Sequence, residues 1–146
     1  MKVIMSTPWA YPFSIFGGTE RYVYFLSKYL VKEGIDVKII TSGPQNKGRN
    51  TICDGIEYEF ISKALPPYGK RFWPFLYLFN INLARRLKEE KFNVLHSYHI
   101  TAYFYLHHTC APVIIEPFGL GQLCFAKLNS IAVSYTHLRA HETGRN

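Results

Sequence analysis

Hydrophobic and polar positions at the start of the chain change period in the order strand, helix, strand. Lys2-Val3-Ile4-Met5-Ser6-Thr7 is a short β-branched run closed by Pro8, the pattern of a buried parallel strand. After a loop rich in Pro and aromatics comes Gly17-Gly18-Thr19-Glu20, and then a helical period. Val23, Leu26 and Leu30, with Tyr22, Phe25 and Tyr29 one position round, predict an apolar helix face over residues 20–33. Thr19 is placed to cap that helix, Glu20 to face the positive end of its dipole, and Gly34 to stop it. Val37-Lys38-Ile39-Ile40-Thr41 predicts the second strand, and the alternating Ile56-Glu57-Tyr58-Glu59-Phe60-Ile61 the third. Pro66-Pro67-Tyr68-Gly69 breaks the chain, and a helix is predicted from Pro74 to about Glu90, with apolar positions at 75, 76, 79, 83 and 87. Asn93–Tyr98 predicts a fourth strand, Thr101–Thr109 a short aromatic helix and Val113–Glu116 a fifth strand. Strands and helices alternating at this length predict an α/β fold, a Rossmann-like parallel sheet with helices on both faces.

Composition narrows the picture. A chain of 146 residues has room for one domain, and 48% apolar residues with 11 Phe and 11 Tyr argue for a packed core. A strand beginning at Lys2 leaves no recognisable secretory signal, and Cys53, Cys110 and Cys124, odd in number and widely spaced, read as reduced thiols. The expected location is cytoplasmic. Residues 72–84 are too few for a membrane span, and 93–115 carry several His and a Pro. The net charge of +7 comes from scattered basic residues with no recognised nucleic-acid motif, so no nucleic-acid partner is expected.

Two glycines at a helix entrance after a strand let a ligand phosphate approach free backbone N–H groups. The dinucleotide fingerprint does not fit, because the glycines lie well past the strand and the second strand ends Thr41-Ser42-Gly43 without an acid to hold a ribose. The pattern instead resembles the N-terminal domain of glycosyltransferase family 4, retaining enzymes of the GT-B fold. That resemblance rests on Gly17-Gly18-Thr19-Glu20-Arg21, on Lys32-Glu33-Gly34-Ile35-Asp36-Val37, where Ile35 replaces a common His, and on Ile40-Thr41. Asn93-Val94-Leu95-His96-Ser97-Tyr98 and Pro112-Val113-Ile114-Ile115-Glu116-Pro117-Phe118-Gly119 resemble two further strand ends of the family. The likeness runs over about residues 2–120.

The resemblance implies transfer of a sugar from a nucleotide-sugar donor to a hydroxyl of a glycan or lipid-linked acceptor, with retention and without a further cofactor. The loop Gly17, Gly18, Thr19 and Arg21 would then approach the donor diphosphate. His96, Tyr98 and His99, at the expected carboxyl end of the fourth strand, are acceptor-cleft candidates. Phe118 stands where the family has a cleft His and can neither donate a hydrogen bond nor move a proton; Glu116 offers a carboxylate two residues earlier. Each has a plainer reading, as turn glycines, solvated helix residues or satisfied core groups. His107-His108 reads as a helix end, and no metal site is expected. Lys70, Arg71, Trp73 and Phe75 put aromatics among basic residues and suit an anionic membrane surface, at the inner face of the cell membrane, or equally a core helix with a solvated basic end.

Residues 133–143 resemble the translation of a transposon-end sequencing adapter. The expected organisation is therefore a partial acceptor-side domain over 1–132 and a non-native, disordered tail over 133–146. The family's paired-glutamate donor domain would lie outside this chain, leaving it inactive by itself. The alternatives are a GT-B-fold sugar-nucleotide epimerase and a non-catalytic basic α/β module that binds a membrane surface or a protein partner.

Overall fold

A computed structural model describes residues 1–14, 17–44, 49–65, 72–106 and 111–116. Lys70, Arg71, Phe118, the His107-His108 pair, Cys110, Cys124, the 66–69 turn and the 133–146 tail lie outside them. The elements run β1 (Lys2–Ser6), α1 (Gly18–Lys32), β2 (Asp36–Gly43), β3 (Asn50–Cys53), β4 (Ile56–Lys63), α2 (Phe72–Lys88), β5 (Val94–Tyr98) and β6 (Val113–Glu116). They form a six-stranded sheet in the order β3-β4-β2-β1-β5-β6, parallel except for the β3–β4 pair.

Strand alternation divides the core. Met5 faces α1, where the Ser27 hydroxyl lies 3.0 Å from its sulfur, while Ile4 faces α2. On the α2 side Ile4, Ile40 and Leu95 pack with Leu76, Phe79, Leu83 and Leu87. Helices therefore cover both faces, and β1 carries β2 on one side and β5 on the other. That arrangement makes the carboxyl ends of β1 and β5 the topological switch point where open α/β sheets take ligands.

Several expectations need correction. Thr19 lies inside α1; Gly17 is the N-cap, with no side-chain hydrogen bond. Glu20, Val23, Tyr24 and Ser27 form the buried face, while Tyr22, Phe25 and Tyr29 are exposed, because a helix on a sheet buries one stripe only. Phe75 is likewise exposed and not part of the α2 core stripe. Residues 101–105 form successive turns where a helix is predicted, and 107–109 of that predicted helix lie outside the described residues. The apolar pattern does not predict the antiparallel edge strand β3. Its connection to β4 is Asp54-Gly55, both at positive φ (52° and 77°), the conformation that matches a tight hairpin to strand twist. Gly34 does end α1: its N–H bonds to the Val31 carbonyl at 3.0 Å and that of Ile35 to Leu30 at 3.0 Å, with Gly34 at φ 78°.

Candidate functional site

The carboxyl end of the sheet is tied down by buried hydroxyls. The Thr101 hydroxyl lies 2.8 Å from that of Ser6 and 2.9 Å from that of Ser97, and Ser97 Oγ accepts from the Ala102 N–H at 3.1 Å. The Ser42 hydroxyl donates to the Pro8 carbonyl at 2.6 Å, and the Trp9 indole N–H donates to the Leu65 carbonyl at 3.1 Å. Each satisfies a polar group that burial would otherwise penalise. These bonds fix the loop after β1, and Phe13 stacks edge-on against Tyr58 and Phe60 at 5.0 and 5.1 Å. Their signal in the sequence is Ser and Thr at the ends of apolar strands.

That fixed loop leads to Gly17 and Gly18, both exposed at the start of α1. Among the described residues a Cβ at Gly18 would meet nothing within 4 Å, and at Gly17 only the Glu20 carboxylate at an ordinary 3.5 Å. Neither glycine has the positive φ that would require it. The interior of the fold thus has no steric use for Gly18, and the space beside it is open. Arg21 is exposed one turn in. Glu20, only 5% exposed, leaves Oε2 without a hydrogen-bond partner among the described residues.

Across α1 lies a second cluster. His96 and Tyr98 share the α1 face of β5, their rings stacked 4.4 Å apart, and the Tyr98 hydroxyl is 3.2 Å from His96 Nδ1. Glu116 is opposite Tyr98 in register, and its Oε2 comes within 3.2 Å of His96 Nε2, an ion-pair distance without hydrogen-bond alignment. The Tyr22 hydroxyl of α1 donates to Glu116 Oε1 at 3.5 Å. Burial pushes the His96 pKa down, only partly offset by Glu116, so its imidazole is neutral at pH 7. Burial likewise holds the Tyr98 phenol protonated. The structure thus brings His96, Tyr98 and Glu116 together and adds Tyr22, read from the sequence as part of the helix's apolar face. His99 joins them through its backbone N–H, which donates to the Glu116 carbonyl at 3.0 Å, while its side chain is buried at φ 62° with the ring edge-on to Trp9 at 6.5 Å.

Two other features bear on function. Trp73, Phe75, Tyr77 and Leu78 are all about half exposed on α2, and Tyr77 meets Phe104 edge-on at 5.2 Å. No helix among the described residues is long and apolar enough to cross a membrane, and no group of metal-ligating side chains occurs among them. Cys53 is a free thiol.

A sequence model of Glycosyltransferase Family 4 matches residues 16–138, and the chain belongs to that family. No matching sequence is found among curated proteins. In structure the chain is similar to a sucrose-phosphate synthase from Thermosynechococcus elongatus, with a TM-score of 0.67 at 12% identity over 82% of this chain and 33% of that one. It is also similar to the catalytic domain of starch synthase IV from Arabidopsis thaliana bound to ADP and acarbose, with a TM-score of 0.52 at 15% identity over 71% of this chain and 29% of that one. Both likenesses concern the fold. The chain spans about a third of the length of these proteins.

Proposed function

We propose that this chain is the acceptor-side part of a retaining glycosyltransferase that moves a sugar from a nucleotide-sugar donor to an acceptor hydroxyl. Family membership supports the reaction class, and one observation carries the site: Gly18 opens α1 at a point where a Cβ would meet no atom of the described residues within 4 Å. Backbone N–H groups at a helix start hold a phosphate only if nothing blocks its approach. Gly17, Gly18 and Arg21 are the donor-diphosphate side, with Thr19 inside the helix; His96, Tyr98, His99 and Glu116 are the acceptor side. Transfer requires both substrates aligned between two domains, and such positioning supplies much of the rate. The chain of 1–146 is accordingly inactive alone, and the tail from Val133 is dispensable. The test is to express the complete reading frame from the source DNA and assay sugar transfer with and without Gly18→Val. Transfer abolished by that substitution is the expected result. Micromolar donor binding or turnover by residues 1–146 alone would refute the two-domain requirement. A natural stop near residue 132 with no transfer would favour the non-catalytic module.

A second reading concerns location, peripheral at the cytoplasmic face of a membrane. The half-exposed Trp73, Phe75, Tyr77 and Leu78 favour it, since apolar side chains on one helix end bind an interface where basic residues add attraction to anionic lipid. Co-sedimentation with anionic vesicles, weakened by salt and by Trp73→Ser, is expected; equal binding to neutral vesicles, unchanged by the substitution, would leave a protein-facing surface.

A further inference from the structure

We infer that the β6 edge of the sheet pairs with the β6 edge of a second copy of this chain, about a two-fold axis, to give a weak dimer with one continuous sheet. Among the described residues β6 ends the sheet, yet its sequence, Val113-Ile114-Ile115-Glu116, is that of an internal strand. The register on β5 sets Ile114 beside His96 on the α1 face and Ile115 beside Ser97 on the α2 face. Ile114 is 49% and Ile115 39% exposed, so apolar surface lies open on both faces, where a parallel strand is normally covered. The opposite edge is built differently. β3 is flanked by Arg49 and Asp54 and has one exposed apolar residue, Ile52, and flanking charges of that kind blunt an edge. β6 carries a single charge, Glu116, at its end.

The backbone selects both the partner and the register. The Pro112 carbonyl accepts from the Leu95 N–H at 3.0 Å and the Glu116 carbonyl from the His99 N–H at 3.0 Å, so residues 112, 114 and 116 turn their peptide groups toward β5. Val113 and Ile115 therefore direct their N–H and C=O groups to the open edge, which a strand satisfies. Two identical edges meeting about a two-fold axis run antiparallel, and the contact is self-complementary. With Ile114 opposite its own copy, Val113 faces Ile115 of the second copy, and that pair exchanges both of its N–H···O bonds. Ile114 then meets Ile114 on the α1 side, Val113 meets Ile115 on the α2 side, and Glu116 falls opposite Pro112, clear of the other Glu116. A shift one way would set Ile114 against Glu116 and bring Pro117, which has no N–H, opposite Val113; the other way would set the isoleucines against Ala111 and Pro112. A slip by one residue would turn apolar side chains to the wrong face. Only four residues a side pair, against about 20–30 a side in a standard interface, so the dimer is weak.

The test is sedimentation equilibrium of the 146-residue chain from about 10 µM to about 1 mM. A reversible monomer–dimer equilibrium with a Kd of about 0.1–1 mM is expected. Ile114→Lys and Ile114→Glu each set like charges directly opposite and should each weaken the dimer at least about tenfold. An equal mixture of the two should dimerise at least as well as the wild type, which a folding defect could not produce. On oxidation Ile114→Cys should cross-link to the same position of the second copy, identified by peptide mapping. Ile115→Cys should not, because the offset puts its two copies about 8 Å apart, beyond disulfide reach. A monomer throughout the range overturns the proposal and assigns the edge to the chain's own continuation. A dimer that both charged variants preserve, a mixture that stays monomeric, or equal cross-linking at positions 114 and 115 overturns it as well. The pairing is independent of the reaction class, so a failed transfer assay leaves it standing and a monomer leaves the transferase reading untouched.

Discussion

Among single residues, Lys38 and Glu59 carry the largest electrostatic stake. Lys38 is 3% exposed and Glu59 1% on neighbouring parallel strands, and they pair at 2.8 Å. Glu59 also meets Arg86 at 2.7 Å and Arg49 at 2.9 Å; Glu90 meets Lys38 at 3.0 Å and Lys2 at 2.6 Å. The network stitches β1, β2 and β4 to the end of α2, at the opposite end of the sheet from the candidate site. Removing one partner of such a buried group leaves an uncompensated charge, so Glu59→Leu should cost about 3–5 kcal/mol in urea unfolding. A loss below about 1 kcal/mol would show that the remaining groups rearrange to compensate. Two glycines make the complementary case. Gly18→Ala meets no atom and should leave stability within about 0.5 kcal/mol, while a Cβ at Gly43 would lie 2.1 Å from the Phe60 ring and should cost at least about 1–3 kcal/mol. Equal effects of the two substitutions in thermal melts would undo the argument that Gly18 serves a ligand and not the fold.

At the scale of elements, the hairpin between β3 and β4 shows what local chemistry decides. Asp54 and Gly55 both adopt positive φ, the Tyr24 hydroxyl of α1 donates to the Asp54 carboxylate, and a Cβ at Gly55 would come 3.3 Å from Val31. Gly55→Ala should therefore destabilise by about 1–2 kcal/mol, from backbone strain plus this contact. Hydrogen exchange should show faster opening confined to β3 and the neighbouring edge of β4; unchanged protection there would refute the assignment. The Asp-Gly pair was legible in the sequence, yet β3 was missed because Asn50-Thr51-Ile52-Cys53 is short and only half buried, so it carries almost no apolar alternation. The parallel strands β1, β2, β4 and β5 were legible because burial on both faces writes them as apolar runs. Lys38 inside one of those runs was the visible sign of the charge network, but its partners on β4 and α2 are set by tertiary placement alone. The same limit applies to the site: a predicted strand end marked His96 and Tyr98 and the family resemblance marked Glu116, whereas Tyr22 joins them only through tertiary placement, its hydroxyl 3.5 Å from Glu116 and its ring edge-on to Tyr98.

For the molecule as a whole, these buried groups make stability depend on pH in two separate ranges. Burial would raise the Glu59 carboxyl, but hydrogen bonds from Arg86 and Lys38 hold it down to about 2, against an ordinary 4.5. Glu90 is held down in the same direction despite burial by Lys2, Lys38 and Arg86. A carboxyl with a depressed folded pKa contributes stability that is full above 4.5 and is lost as pH falls toward about 2, because the unfolded chain takes up protons first. His96 acts at higher pH. Its folded pKa is pushed below 6.5 by burial, so the unfolded chain binds a proton that the folded chain refuses, and stability declines as pH falls below 6.5. Both effects have the same sign, and the net charge of +7 grows more positive with acid, adding self-repulsion to each. Melting temperatures of residues 1–146 should thus be highest near neutral pH, begin to fall modestly as pH drops through 6.5, and fall steeply below about 4.5. Substitution separates the two ranges: His96→Gln should flatten the upper one, and Glu59→Gln the lower one, at the cost of stability near neutral pH. If wild type and Glu59→Gln lose stability in parallel from neutral pH to pH 3, the acid sensitivity lies in general charge repulsion and the buried network does not control it.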